Sequence, residues 1–185
     1  MSDHSGSAHL RVLYEASLQE YEKQTDITLA NHPLAGQLQH CDSVESVTAI
    51  LREELRAHSE FRDGDRIIKL LNSIVSVLCT LSATVNLDLS FSLEKEIYAG
   101  LAILLDTIED VSARDPLVDL LESIESILKH LDIYTKISPT RAMTDIVVKT
   151  FVELLSILAL ATKFTKQGQP GEFLLDDVLP WTRLG

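Results

Sequence analysis

The sequence predicts an all-α fold, an antiparallel helical bundle of about five to six long helices plus a short helix. Three observations predict it. Apolar residues recur at helical spacing through most of the 185 residues. No run alternates apolar and polar strictly enough to read as a strand. Helix-start signals, a capping side chain followed by proline, separate the later segments at Asp115-Pro116 and Ser138-Pro139.

Residues 1–7 read as a flexible tail, 8–168 as the helical domain, and 169–185 as a linker and short acidic tail. From Ala8 to Gln24, Leu10, Leu13, Tyr14, Leu18 and Tyr21 form a one-sided stripe. Pro33 suits the first turn of a short helix reaching about Cys41. Asp42, followed three residues later by Glu45, has capping-box spacing and opens a helix to about Phe61. Asp63-Gly64 marks a turn before a helix over about Arg66–Asn86. A further helix is predicted over about Leu93–Ser112, with Ile97, Leu101, Leu104, Leu105 and Ile108 inward. Asp115-Pro116 opens the clearest stripe, Leu117, Leu120, Leu121, Ile124, Ile127, Leu128 and Leu131, which Asp132 to Lys136 ends.

Ser138 to Gly168 is the stretch the rest is expected to surround. Between Ile146 and Ala161 apolar residues cover nearly the whole circumference, interrupted chiefly by Lys149, Thr150 and Glu153. A membrane span needs about 20 predominantly apolar residues, and Lys149 and Glu153 break this run. The stretch therefore reads as a central core helix whose polar strip reaches solvent. Lys149 and Glu153, four apart, read as a polar register pair or part of an interface.

A chain of this length buries a full core without staples. Its net charge of −12 removes the electrostatic footprint expected for nucleic acid. The N-terminal MSDHSGSAHL lacks the apolar centre of a signal peptide. Cys41 and Cys79, the two cysteines, have no metal-ligand spacing and read as small core residues in a reduced, cytoplasmic setting.

Candidate chemistry is sparse. Asp106, Glu109 and Asp110 share a helical face but lack the Glu-x-x-His pairs of a dimetal bundle, and a solvated face explains them. His32 and His40 would need two further ligands to hold zinc. No GxSxG elbow and no GxxxxGK[ST] loop occurs. The reading is no catalytic residue, no cofactor and no metal.

Several segments in order carry a family resemblance: His32-Pro33-Leu34-Ala35 with Cys41 and Glu45; Phe61-Arg62-Asp63-Gly64-Asp65; Ala99 to Leu105; Val118 to Ile124; Ile133-Tyr134-Thr135; and Ala142-Met143-Thr144 through Glu153-Leu154-Leu155-Ser156 to Thr162-Lys163. Together, over about residues 10–168, they resemble the Goodbye domain found at the N-termini of fungal STAND proteins, signal-transducing NTPases of the NOD-like type. The resemblance implies an all-α effector-type domain that signals by association, with no catalytic residues to carry over. The chain shows no NTPase module or repeats, so it reads as an excised N-terminal domain or a stand-alone member.

The resulting expectation is a helical interaction module whose partners are proteins, itself included. Membrane perturbation by release of helix 8–24 ranks second, although that helix has balanced charge rather than a basic stripe. An apolar small-molecule carrier or small enzyme ranks third.

Overall fold

The computed structural model describes residues 3–57, 64–85, 93–108, 114–137 and 140–168. The helices in it are α1 (Asp3–Thr25), a 3-10 turn (Leu29–Asn31), α2 (Pro33–Gln39), α3 (Val44–Ala57), α4 (Gly64–Val85), α5 (Leu93–Thr107), α6 (Arg114–Ile137) and α7 (Arg141–Lys166). Six are long and α2 is short, and no strand occurs among the described residues, in agreement with the predicted class.

α5 is the innermost element: eleven of its 15 residues are buried. It packs against α7, α2 and α3. Ala99, Gly100 and Ala102 let these neighbours come close, because helix separation follows the size of the side chains at the contact. The 138–168 stretch supplies α7, in which ten of 26 residues are buried. α7 thus shares the centre with α5 rather than occupying it, and its outer strip reaches solvent at Ile146, Lys149 and Glu153.

Specific contacts set helix directions. Glu94 and Lys95 face Ser82 and Ala83, while Tyr98 donates back to the Val75 carbonyl, so α4 and α5 are antiparallel. α1 and α7 instead run in the same sense. The Tyr21 hydroxyl lies beside that of Thr162, and Lys163 and Lys166 reach Gln24 and the Thr25 carbonyl at 3.1 and 2.7 Å. α4 and α6 also run together, joined by Arg66–Glu122 and Ser73–Glu125.

Helix ends depart from the expected positions in instructive ways. α1 begins at Asp3, within the segment expected as a tail. At α3 the cap is Ser43 rather than Asp42. Its Oγ accepts from Ser46 N at 3.1 Å and the Ser46 hydroxyl accepts from Ser43 N at 3.3 Å, a capping box displaced by one residue. α6 starts at Arg114, which places Asp115 and Pro116 inside its first turn, where backbone N–H groups lack helical partners anyway. It continues through 132–136 because Thr135 is buried and Lys136 pairs with Asp132 at 2.7 Å. Thr140 caps α7 through Met143 N. Gly64 is the first residue of α4, whereas Asp63, Ser138, Pro139 and residues 169–185 lie outside the described residues. Gly168, at φ 70°, turns the chain out of α7.

Cys79 is not a core residue, and Cys41 packs only against the edge of the core. Cys79 is exposed and Cys41 half-buried, and both are free thiols. Cys79 shares the outer face of α4 with Ser76, Thr80 and Ala83. Beyond Lys69 the outer face carries no charge, which makes the rest of α4 read as a uniform apolar run. For the same reason Gly64–Thr84 is, among the described helices, the one long and apolar enough to cross a membrane by length and composition. Its Ile67, Leu71, Ile74, Val75, Leu78 and Leu81 are buried within the bundle.

Candidate functional site

The inward stripe of α6 ends at Leu131 and Thr135. Ile133, Tyr134 and Ile137 fall out of phase with it and emerge 58, 62 and 75% exposed. Ile146, on the outer face of α7 shortly after that helix begins, is 47% exposed. Four of the five large exposed apolar side chains of the described residues thus lie where α6 ends and α7 starts, and Val12 is the fifth. Exposed apolar residues gathered in this way mark interaction sites, whereas scattered ones need no explanation.

The charge around this strip differs from the rest of the molecule. Residues 129–149 hold four Lys or Arg (Lys129, Lys136, Arg141, Lys149) against two Asp, in a chain of net charge −12. Lys129 pairs with Glu125 and Lys136 with Asp132, each at 2.7 Å, which holds these long side chains along the helix surface.

Lys149 and Glu153 lie on the same outward side of α7 as Ile146. Both are exposed, and no ion pair joins them. Lys preceding Glu is the weaker order for such a pair. Partial burial alone holds the Glu153 carboxyl above its ordinary pKa. The two side chains share the solvent-facing side of α7 with Ile146.

The family model of the fungal STAND N-terminal Goodbye domain matches residues 14–134. The chain belongs to the Goodbye family. The matched region runs from within α1 to near the end of α6, so it includes Ile133 and Tyr134 and stops before α7. No curated protein and no solved structure matches the chain.

Inside this Goodbye domain the sequence reading missed one polar contact, between α1 and α5. The Tyr14 hydroxyl donates to Glu96 Oε1 at 3.1 Å, and both side chains are buried. Glu96 shares the enclosed helix with Leu93, Ile97 and Gly100; a carboxylate at such a position was the available signal. Burial raises the Glu96 carboxyl pKa, and the Tyr14 hydrogen bond only partly offsets this. A carboxyl with a raised folded-state pKa favours folding below its unfolded value and loses that contribution as pH rises through the folded value. Stability should therefore fall as pH rises from the ordinary carboxyl range toward neutrality. Glu96→Gln keeps an acceptor for Tyr14 and removes the charge. It should flatten that decline and raise neutral-pH stability by about 1 kcal/mol, the scale of a relieved buried charge with a retained hydrogen bond. Urea midpoints of both proteins across the pH range test this; parallel curves would refute it.

The remaining candidates resolve into structural roles. His32 caps α2, its Nδ1 accepting from Leu34 N at 3.3 Å, and His40 ends the same helix. The two imidazoles are therefore held at opposite ends of a helix about 10 Å long, not brought together for zinc. Asp106 is exposed, while Glu109 and Asp110 lie outside the described residues. Among the described residues no three His, Cys, Asp or Glu side chains assemble as a metal site.

Proposed function

We propose that this Goodbye domain is a protein-interaction module of STAND-type signalling in the cytoplasm, and that it associates with a second copy through Ile133, Tyr134, Ile137 and Ile146. The observation carrying this reading is the gathering of these side chains at one end of the bundle. Charge argues for a second copy. Residues 125–153 balance four Lys or Arg against four Asp or Glu on a chain of net charge −12, so a second copy meets less like-charge repulsion there than over the rest of the surface. A strip meeting an acidic face elsewhere on the partner is a heterologous contact, which can propagate beyond a dimer.

A second reading rests on the same rim. Apolar side chains flanked by Lys and Arg also suit an anionic lipid surface. Light scattering coupled to size exclusion, over a concentration series with and without neutral and anionic liposomes, separates the two. Reversible association, indifferent to liposomes and weakened by salt, is expected. Ile137→Asp, at an exposed position that leaves the core untouched, should weaken it at least about tenfold, the scale of a modest interface hot spot. Movement of a monomer into the anionic liposome fraction would transfer the strip to membrane binding. A monomer inert to both would reject the proposal.

A further inference from the structure

The two cysteines lie 38 positions apart in sequence, yet both line one cavity of about 380 Å³ between the α2–α3 connection, α4 and α5. We infer that this cavity captures small apolar electrophiles of the α,β-unsaturated carbonyl class, with the Cys79 thiol as nucleophile. Its volume falls within the range of small-molecule sites, about 300–1,000 Å³. Val44, Val47, Ala83 and Tyr98 give it apolar walls.

Among the lining side chains, which include the carboxylates of Asp42 and Glu94, Lys95 is the cation that suits the carbonyl end of such a ligand. Ser82 lines the cavity with its outer atoms, while its hydroxyl is enclosed by the protein. Lys95 also lines the cavity, held there by its 2.7 Å hydrogen bond to the Gln39 carbonyl. A cation held in place favours the negative charge that develops on an enolate oxygen. Cys79 is exposed and therefore open to attack, whereas Cys41 is half-buried with its Sγ directed to the Gln37 carbonyl at 3.6 Å.

The chemistry balances without an added oxidant or leaving group. The sulfur electron pair forms the C–S bond to the β-carbon. The alkene π pair moves to the carbonyl as an enolate, and the proton lost by the thiol returns through water to the α-carbon. The product is a thioether that retains every atom of both reactants.

The test exposes the full chain to increasing trans-2-hexenal and maps adducts by peptide mass spectrometry. One adduct on Cys79 is expected, at a rate that saturates with hexenal. Its rate should exceed that of the urea-unfolded chain by about tenfold, a small fraction of what orientation in a site can supply. In Cys41→Ser the adduct should still form on Cys79 with a saturating rate. Ala83→Phe, placed at an exposed position on the cavity wall, should reduce it to the unfolded-chain rate with unaltered helical circular dichroism. A rate linear in hexenal and equal in folded and unfolded chains would reduce Cys79 to an ordinary surface thiol and overturn the inference, whether or not the Ala83 variant folds. First reaction at Cys41 would overturn the choice of nucleophile.

Discussion

Leu155→Ala is expected to lower the free energy of unfolding by about 2–5 kcal/mol. Leu155 is wholly buried on α7 and packs against α5, its Cδ1 lying 3.7 Å from the position a Gly100 Cβ would take. Truncation removes apolar contact and leaves a cavity, and the cost depends on how far the surroundings can collapse. Here collapse is restricted. α5 is enclosed by α2, α3 and α7, so it cannot move toward the void without opening another. The effect should lie in the upper half of the range. Urea denaturation followed by helical circular dichroism measures it directly, and a midpoint close to wild type would mean that α7 is not packed in the core as described.

Gly100→Leu should cost about 1–3 kcal/mol by overpacking the same contact. A Cβ at this position would lie 3.1 Å from Leu158 Cδ1 and 3.6 Å from Leu158 Cβ, and Leu158 is itself fully buried. The added methyl groups would have to enter space already filled by Leu155 and Leu158. Gly100→Ala is the informative companion. It recovers about 0.5–1 kcal/mol of helical preference while tightening a single contact, so its net effect should be small. A leucine variant with wild-type stability would show that α5 and α7 can separate freely. That result would remove the account of why α5 is enclosed.

Much of the fold was legible because helix periodicity is local. The α6 stripe from Leu117 to Leu131 specifies both the helix and its buried face within about four turns, and the structure buries Leu117, Leu120, Leu121, Ile124, Leu128 and Leu131. Cap positions were legible only to within a residue or two. Asp42 and Ser43 are both competent caps, and backbone geometry selected Ser43. α4 was harder. With Ser76, Cys79, Thr80 and Ala83 outward, its polar face lacks charge after Lys69, so Cys79 passed for a core residue.

The exposed apolar strip was partly visible as residues out of step with their own stripe: Ile133, Tyr134 and Ile137 follow Leu131 at the wrong phase for burial. Nothing local showed that Ile146 would join them, since that depends on how α7 is placed after Thr140. The cavity bearing Cys41 and Cys79 had no sequence signature, because its walls come from segments brought together only by packing.

The sequence by itself determined that this chain is an all-α bundle, where most helices lie, which face of α6 turns inward, and that its segments resemble the Goodbye family. Each follows from short-range spacing or from the order of segments along the chain. Tertiary structure alone decided that α5 is innermost, that α1 runs alongside α7 in the same sense, that Tyr14 meets Glu96, and that two distant cysteines share one cavity. These depend on the relative size and placement of side chains on different helices, and the periodicity of a single helix carries no information about its neighbours.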